Sequence, residues 1–388
     1  MDAGLMLIIM IGLVDLCADV TYEGGRSMIG QFLGFLGATG SNITIIMGVS
    51  EFLGYVARLF SGIIADRTRK YRVLIFIGYL LNMIALPLLS VSYSLPIATC
   101  LIMLERCGRA VRIPARDVLV SYAAQSTGIG FGMGLREFFD QLGAIIGPLY
   151  IALMWYVSHD YRMSFAMLAM SALLTMILLY KALSSRMAHE FEHRSHEYAS
   201  LHTAQFTSAW WWFLGAVVSL GCATIDFQLL AYHMQHRGVM DAGMLAILYG
   251  CGMAITAVGA LVLGKLFDRF GPYSMIVVLV LVVGYSPLIL FGNVMSCIAG
   301  MVLWSILYAC HGSFLAALVA RLVALDARAT AYGISGAALG VGWLVGSLLR
   351  GFLYERSLIG VAILSLIFHG SSIVLFLKSF SQYEGRSR

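Results

Sequence analysis

Asp15, Asp19, Glu23 and Arg26 follow one another at intervals of four, four and three residues inside the apolar stretch that opens the chain. On a helix this spacing stacks them on one face over about 16 Å. An ionisable side chain at membrane depth costs on the order of 2.5 to 3.5 kcal/mol even on the mildest scale, so such residues normally face a cavity and carry function. Three acids on one partly dehydrated face suit proton exchange, because neutralising one relieves the others. A purely structural network neutralised by Arg26 and nearby arginines would not need three acids in line.

Other ionisable groups fall inside predicted spans. Glu51 and Arg58 are seven residues apart, and Glu105 is followed by Arg106. Arg136, Glu137 and Asp140 share a third segment, the first and last as an i,i+4 pair. Only Asp226 and Arg350 belong to the second half of the chain. Eight acids against five arginines lean towards a cationic or neutral substrate. Arg109 and Arg112 read as interface anchors whose stems snorkel to the headgroups, and His311 and His369 as hydrogen-bonded core histidines.

The elements that must position these groups are membrane helices. Hydrophobic residues make up 60% of the 388-residue chain and charged residues 12%, against roughly 45–50% and about 25% in a soluble domain. Apolar windows of the ~20 residues needed to cross a bilayer recur from end to end. They divide into twelve predicted helices, near 4–34, 42–65, 73–93, 95–112, 128–155, 162–183, 209–232, 242–266, 274–292, 295–318, 329–353 and 357–378. The first reads as a retained span, since no basic start or cleavage site precedes it. With both termini cytoplasmic, Lys and Arg crowd the inner loops, Arg109, Arg112 and Arg116 among them. Only Arg162, Arg237 and Arg356 fall outside, as the positive-inside rule requires.

The seven cysteines show no paired spacing and read as small core residues, neither a disulfide framework nor a metal site. Residues 184–208 form a polar cytoplasmic linker between a six-helix bundle at 1–183 and another at 209–388. It carries His189, His193 and His196 at helical spacing, which read as part of a solvated surface helix. Nothing in the net charge of +5 points to nucleic acid.

Duplication is visible in the sequence. Gly-Ile-Ile-Ala-Asp-Arg at Gly62 returns as Gly-Lys-Leu-Phe-Asp-Arg at Gly264, 202 residues later. Gly134, Gly143 and Gly147, the last followed by Pro148, allow close helix approach and a bend. Gly333, Gly342 and Gly346 repeat that spacing at an offset of 199. In this register Ser335, Gly336 and Leu339 stand opposite Arg136, Glu137 and Asp140, so the scaffold is repeated and the charges are not.

On these residues the chain resembles the major facilitator superfamily over essentially its whole length. Gly62–Arg72 is similar to that family's loop motif between helices 2 and 3, and Gly264–Gly271 to its second copy between helices 8 and 9. The resemblance implies a cytoplasmic latch formed by Gly62, Asp66, Arg67, Arg69, Gly264, Asp268 and Arg269. Leu104–Ala110 resembles the helix-4 motif whose arginine is tied to proton coupling, a role that maps onto Arg106, with Ala110 where glycine is usual. Gly134, Gly143, Gly147 and Pro148 resemble the antiporter motif of drug–proton exchangers, with Ile151 and Ala152 in place of its closing glycines.

The expected fold is therefore all-α: twelve transmembrane helices in two pseudo-symmetric bundles, both termini cytoplasmic. The expected function is alternating-access secondary transport of a small molecule, as a monomer in a bacterial inner membrane, without cofactor, metal or nucleic acid. Substrate–proton antiport is the preferred mode, with Asp19 and Glu23 exchanging protons while Arg26, Arg58, Arg106 and Arg136 tune them or meet an anionic part of the substrate. Proton-linked uptake of a polar metabolite is the alternative, and a non-transporting receptor or assembly factor a remoter one. No phosphate-cradling loop is present, and no nucleophile–base motif marks an enzyme.

Overall fold

The computed structural model describes residues 3–68, 70–124, 129–185, 188, 190, 207–323 and 328–387. Every regular element among them is helical: α1 (Ala3–Phe35), α2 (Gly40–Thr68), α3 (Tyr71–Leu88, extended by a 3₁₀ turn at Leu89–Val91), α4 (Leu95–Ala123), α5 (Ile129–Ser158), α6 (Tyr161–Leu183), α7 (Ser208–Ala223), α8 (Phe227–His236), α9 (Ala242–Phe270), α10 (Tyr273–Val282), α11 (Tyr285–Phe291), α12 (Val294–Leu322), α13 (Arg328–Tyr354) and α14 (Leu358–Ser387). Eleven spans among the described residues are long and apolar enough to cross a membrane, α7–α8 and α10–α11 each counting as one. Helix α4 matches α2 in length at 29 residues, about 43 Å, but Glu105, Arg106, Arg109, Arg112, Arg116 and Asp117 interrupt its apolar run.

Large apolar side chains stand on the outside. Leu59, Phe60, Ile63 and Ile64 of α2, Leu173 and Leu174 of α6, and Leu261 and Val262 of α9 are exposed. A soluble chain would bury them, whereas acyl chains solvate them without cost. Local signals set the turns. Gly37, Gly238 and Gly271 adopt positive φ after α1, α8 and α9, which relieves the Cβ penalty of a left-handed cap. Asp160 begins α6 by accepting from the Arg162 amide at 2.8 Å. Arg72 donates to the Leu183 carbonyl at 3.1 Å, closing the other end of that helix.

The chain forms two compact units. The first comprises Met1–Gly37, Leu53–Ser200 and Ala242–Gly250, the second Ala38–Phe52, Leu201–Asp241 and Cys251–Arg388. In the first, α1 packs along α5 and α6, and α3 along α4. In the second, α7 packs against α13 and α14.

Several sequence expectations change here. Helix α4 does not end near residue 112 but runs through Pro114 to Ala123. Proline removes one backbone donor and commonly marks a boundary, yet here the charged side chains beyond it find partners. The span expected at 209–232 is broken, since α7 stops at Ala223 and α8 starts at Phe227, with Thr224 and Asp226 extended. Among the cysteines, Cys17, Cys222, Cys297 and Cys310 are buried as expected of core residues, but Cys100 and Cys251 are exposed.

Candidate functional site

The acid stripe of α1 is the axis of a buried charged ladder in the first unit. At its first rung Asp15 is fully enclosed. Arg116 Nη1 donates to Asp15 Oδ1 at 2.8 Å, Arg112 Nη1 approaches the same oxygen at 3.4 Å, and Arg136 Nη1 reaches Oδ2 at 3.3 Å. The Tyr79 hydroxyl also donates to Oδ1. Three guanidinium groups and a phenol thus hold one carboxylate, charge-assisted bonds of the strong kind. Arg136 further donates to Glu137 at 2.7 Å and lies 3.7 Å from Asp140, so it serves both its own helix and α1. Arg116 likewise holds Asp117, at 3.0 Å.

Asp19 forms the second rung and is equally buried, but its surroundings differ. Its ion contact is with Arg112 Nη2 at 3.7 Å, and Oδ1 accepts no hydrogen bond among the described residues. The rung sits where α5 crosses α1: a Cβ on Gly143 would collide with the Leu16 carbonyl, and one on Gly147 would stand 2.7 Å from the Val20 carbonyl. Only glycine lets the helices come this close.

At the third rung Glu23 lies 3.6 Å from Arg26 and 3.9 Å from Arg109. It also accepts from the Tyr249 hydroxyl of α9 at 2.7 Å. Tyr22 organises the arginines of this layer. Arg106 donates to its hydroxyl, and the Arg109 guanidinium stacks 3.7 Å from its ring centre. Behind them Asn82 Nδ2 donates to Glu105 Oε1 at 2.7 Å, and Arg106 Nε is 3.7 Å from Glu105 Oε2.

The structure therefore brings Asp15, Asp19, Glu23, Arg26, Glu105, Arg106, Arg136, Glu137 and Asp140 into one network. Glu51 is half-buried and belongs to the second unit; Arg58 is exposed beside Tyr55. Arg112 and Arg116, expected at the cytoplasmic edge, are core residues. Their presence narrows the acid excess that the sequence census suggested. Tyr79, Asn82 and Tyr249 carry no signal in the sequence beyond being polar groups in apolar runs.

Asp226 occupies a separate site in the second unit, at the break between α7 and α8. Trp343 Nε1 donates to its Oδ1 at 2.5 Å, and Arg350 Nη2 stands 3.9 Å from Oδ2. Arg350 donates to the Cys222 carbonyl at 2.7 Å, Tyr285 and Ser365 to the Ala223 carbonyl at 2.9 and 2.7 Å, and Trp304 to the Ile225 carbonyl at 2.9 Å. The backbone groups freed by the break are thereby satisfied, the condition for irregular backbone at membrane depth. An Asp ahead of a second apolar run is an N-cap signal from which the break could have been read.

Of the latch residues, Gly62 and Arg67 lie on α2, and Gly264 and Arg269 on α9; both arginines are exposed. Arg69 lies outside the described residues, as do the side chains of Asp66 and Asp268 and the linker's His189, His193 and His196. Gly134 lies within α5, and Pro148 is buried beside Gly147.

Membrane-length helices in two units, with a buried charged ladder in the first, define a polytopic membrane transporter scaffold. The family model described as Major Facilitator Superfamily matches residues 16–347, and the chain belongs to that superfamily of secondary transporters. An uncharacterized protein of Mycobacterium tuberculosis is 36% identical over 358 residues, covering 89% of this chain and 86% of its own. An uncharacterized MFS-type transporter of Methanocaldococcus jannaschii is 25% identical over 357 residues, covering 90% and 88%. Among solved structures, a POT family transporter bound to a thioalcohol-conjugated peptide aligns with a TM-score of 0.80 at 14% identity, covering 98% of this chain and 96% of its own. The nucleoside transporter NupG aligns at 0.75 and 15%, covering 97% and 99%. At such identities the two structures share the fold.

Proposed function

We infer that this transporter couples movement of a small-molecule substrate to protons, working as an antiporter that exports its substrate. The observation that carries this reading is the difference between Asp15 and Asp19. Protonating Asp15 would break charge-assisted bonds to three arginines and a tyrosine. Protonating Asp19 breaks no hydrogen bond among the described residues, so a proton can come and go there without dismantling the ladder. Glu23 is the second exchanging acid, and its bond from Tyr249 ties it to α9. Arg26, Arg106 and Arg136 set the field around them, Glu51, Glu105, Glu137 and Asp140 complete the pathway, and Asp226 is its member in the second unit.

The working unit in this reading is a monomer of twelve spans, α4 supplying the twelfth, with residues 1–183 and 209–388 as six-helix bundles and 184–208 as the linker. Both termini face the cytoplasm of a bacterial inner membrane, in keeping with the distribution of Lys and Arg. Asp66, Arg67, Arg69, Asp268 and Arg269 latch the cytoplasmic side, and neither nucleic acid nor a cofactor takes part. Proton-linked uptake uses the same groups in the opposite direction, and the glycines missing at Ile151 and Ala152 favour it.

The test uses proteoliposomes holding a pH-sensitive dye and an imposed pH gradient, with a compound panel pre-selected by thermal stabilisation of the purified protein. Compound-dependent proton flux is expected in the wild type and lost in Asp19→Asn and Glu23→Gln. Unchanged coupled flux in both variants would sink the assignment, and counterflow under the gradient separates export from uptake.

A further inference from the structure

Helix α2 faces α4 through Gly54, Arg58, Ser61 and Gly62. A Cβ on Gly54 would stand 3.8 Å from Arg106, and one on Gly62 would stand 3.9 Å from Pro114. Ser61 donates to the Val111 carbonyl at 2.7 Å. Arg58 lies between these contacts on the same helical face. It points towards α4, away from the exposed apolar face formed by Leu59, Phe60, Ile63 and Ile64, and yet it is itself exposed. Its guanidinium is therefore within reach of a ligand at this level.

Among the charged groups whose fields reach Arg58 are Arg109, Arg116 and Asp117 of α4, and those whose fields reach Arg109 include Asp19, Glu23 and Asp140. Asp117 is already held by both Nε and Nη2 of Arg116, at 3.1 and 3.0 Å. Arg109 keeps 26% of its side chain exposed, and its one acid contact among the described residues is with Glu23 at 3.9 Å, beyond hydrogen-bond distance. Neither Arg58 nor Arg109 donates a hydrogen bond to any described group. Their guanidinium groups rest instead by aromatic rings, Arg58 5.8 Å from Tyr55 and Arg109 3.7 Å from Tyr22. Two guanidinium groups on facing helices with unused donors can close on one anion, because a guanidinium fork matches an oxyanion in shape as well as charge.

We propose that Arg58 and Arg109 form the substrate's oxyanion subsite, so that the transported molecule carries a carboxylate or phosphate group. This reverses the lean of the sequence census towards a cation. It rests on the transport reading above and names the substrate class for it.

The test is thermal denaturation of the purified full-length protein in detergent at one pH, with no gradient. Sodium phosphate, sodium succinate and, in a separate arm, phosphatidylglycerol in mixed micelles serve as probes, the two salts at 10 mM against sodium chloride and tetraethylammonium chloride at equal ionic strength. An oxyanion that binds the folded state is expected to raise the midpoint by about 2–4 °C. The rise is expected to vanish in Arg58→Gln and Arg109→Gln, to persist in part in Arg109→Lys, and to be intact in Arg162→Gln. Should the glutamine variants fail to fold, the lysine variants Arg58→Lys and Arg109→Lys decide: a reduced shift supports the subsite and a full one overturns it. No rise beyond that of chloride overturns it, as does a full rise in both glutamine variants or a response to phosphatidylglycerol alone. The stronger of phosphate and succinate names the group. Because no gradient is applied, loss of proton coupling would leave this readout unchanged, whereas a proton-coupled carrier of a neutral substrate would show flux without stabilisation.

Discussion

The α1–α5 crossing and the α7–α13 crossing are built on one plan and filled with different chemistry. In the first unit Gly143 and Gly147 seat α5 on the carbonyls of Leu16 and Val20; in the second Gly342 and Gly346 seat α13 on those of Val218 and Cys222. The carbonyls correspond at an offset of 202 residues and the glycines at 199. Close approach has thus been kept in both copies. Yet the first crossing carries Asp15 and Asp19 among arginines, whereas the second places Val217 and Gly221 at the matching positions and concentrates its charge in the single pair Asp226–Arg350 beside a broken helix. Packing depends on small residues at a few contacts, which both copies preserve. Charge depends on partners from several helices and diverges as a set.

The largest effect that bears on this comparison is expected from Asp15→Ala, which strands three buried arginines. Breaking a buried charge network from one side costs about 3–5 kcal/mol, so the denaturation midpoint of the purified protein should fall steeply. Asp226→Ala should cost less, because Arg350 keeps its bonds to the Cys222 carbonyl and the Ser347 hydroxyl. Equal losses would show that the two sites do not differ in the way described.

Next in size are Gly143→Ala and Gly342→Ala. Each added methyl meets backbone that no rotamer change can move, and overpacking of this kind costs about 1–3 kcal/mol. If the scaffold is truly repeated, the two variants should lose similar stability, measured side by side; a loss confined to one would break the equivalence of the crossings.

Asp19→Asn should change stability by less than about 1 kcal/mol, since Oδ1 gives up no hydrogen bond among the described residues. A loss as large as that from Asp15→Ala would mean that Asp19 is a structural member of the ladder.

The smallest effect belongs to the exposed Glu355, in the turn after α13. The Thr39 hydroxyl, followed by the hydroxyl and amide of Ser41, holds its carboxyl below the ordinary value of 4.5. A carboxyl lowered in the folded state adds stability that is present above its unfolded value and is lost as pH falls through the folded one. Glu355→Gln should therefore lower the midpoint slightly near neutral pH, and the gap from wild type should close as the pH is brought below 4.5. A gap that is constant with pH would show that the carboxylate charge contributes nothing.

Much of this was readable from residue spacing. The stripe from Asp15 to Arg26, the repeated glycines and the duplicated loop motif all follow from helical periodicity and fixed offsets. Arg112 and Arg116 carry no such signal, because arginines on either side of a proline look the same whether they anchor a loop or enter a core. The break at Thr224–Asp226 was missed because the apolar run continues across it. Tyr79 and Tyr249 had no signal at all, since a tyrosine in a membrane helix gives no hint of which carboxylate its hydroxyl meets.

Sequence alone determined that this chain crosses a membrane many times, that a glycine spacing and a loop motif recur at offsets of 199 and 202 residues, and that its acids line up on the first helix. These follow from composition and from the period of a helix, both local properties. Only the tertiary structure decided that Asp15 is locked while Asp19 Oδ1 accepts no hydrogen bond among the described residues, and that Arg58 of α2 stands exposed on the face turned to α4. The state of a buried charge depends on donors brought from distant helices, and their distances are fixed by packing that no spacing along one chain can express.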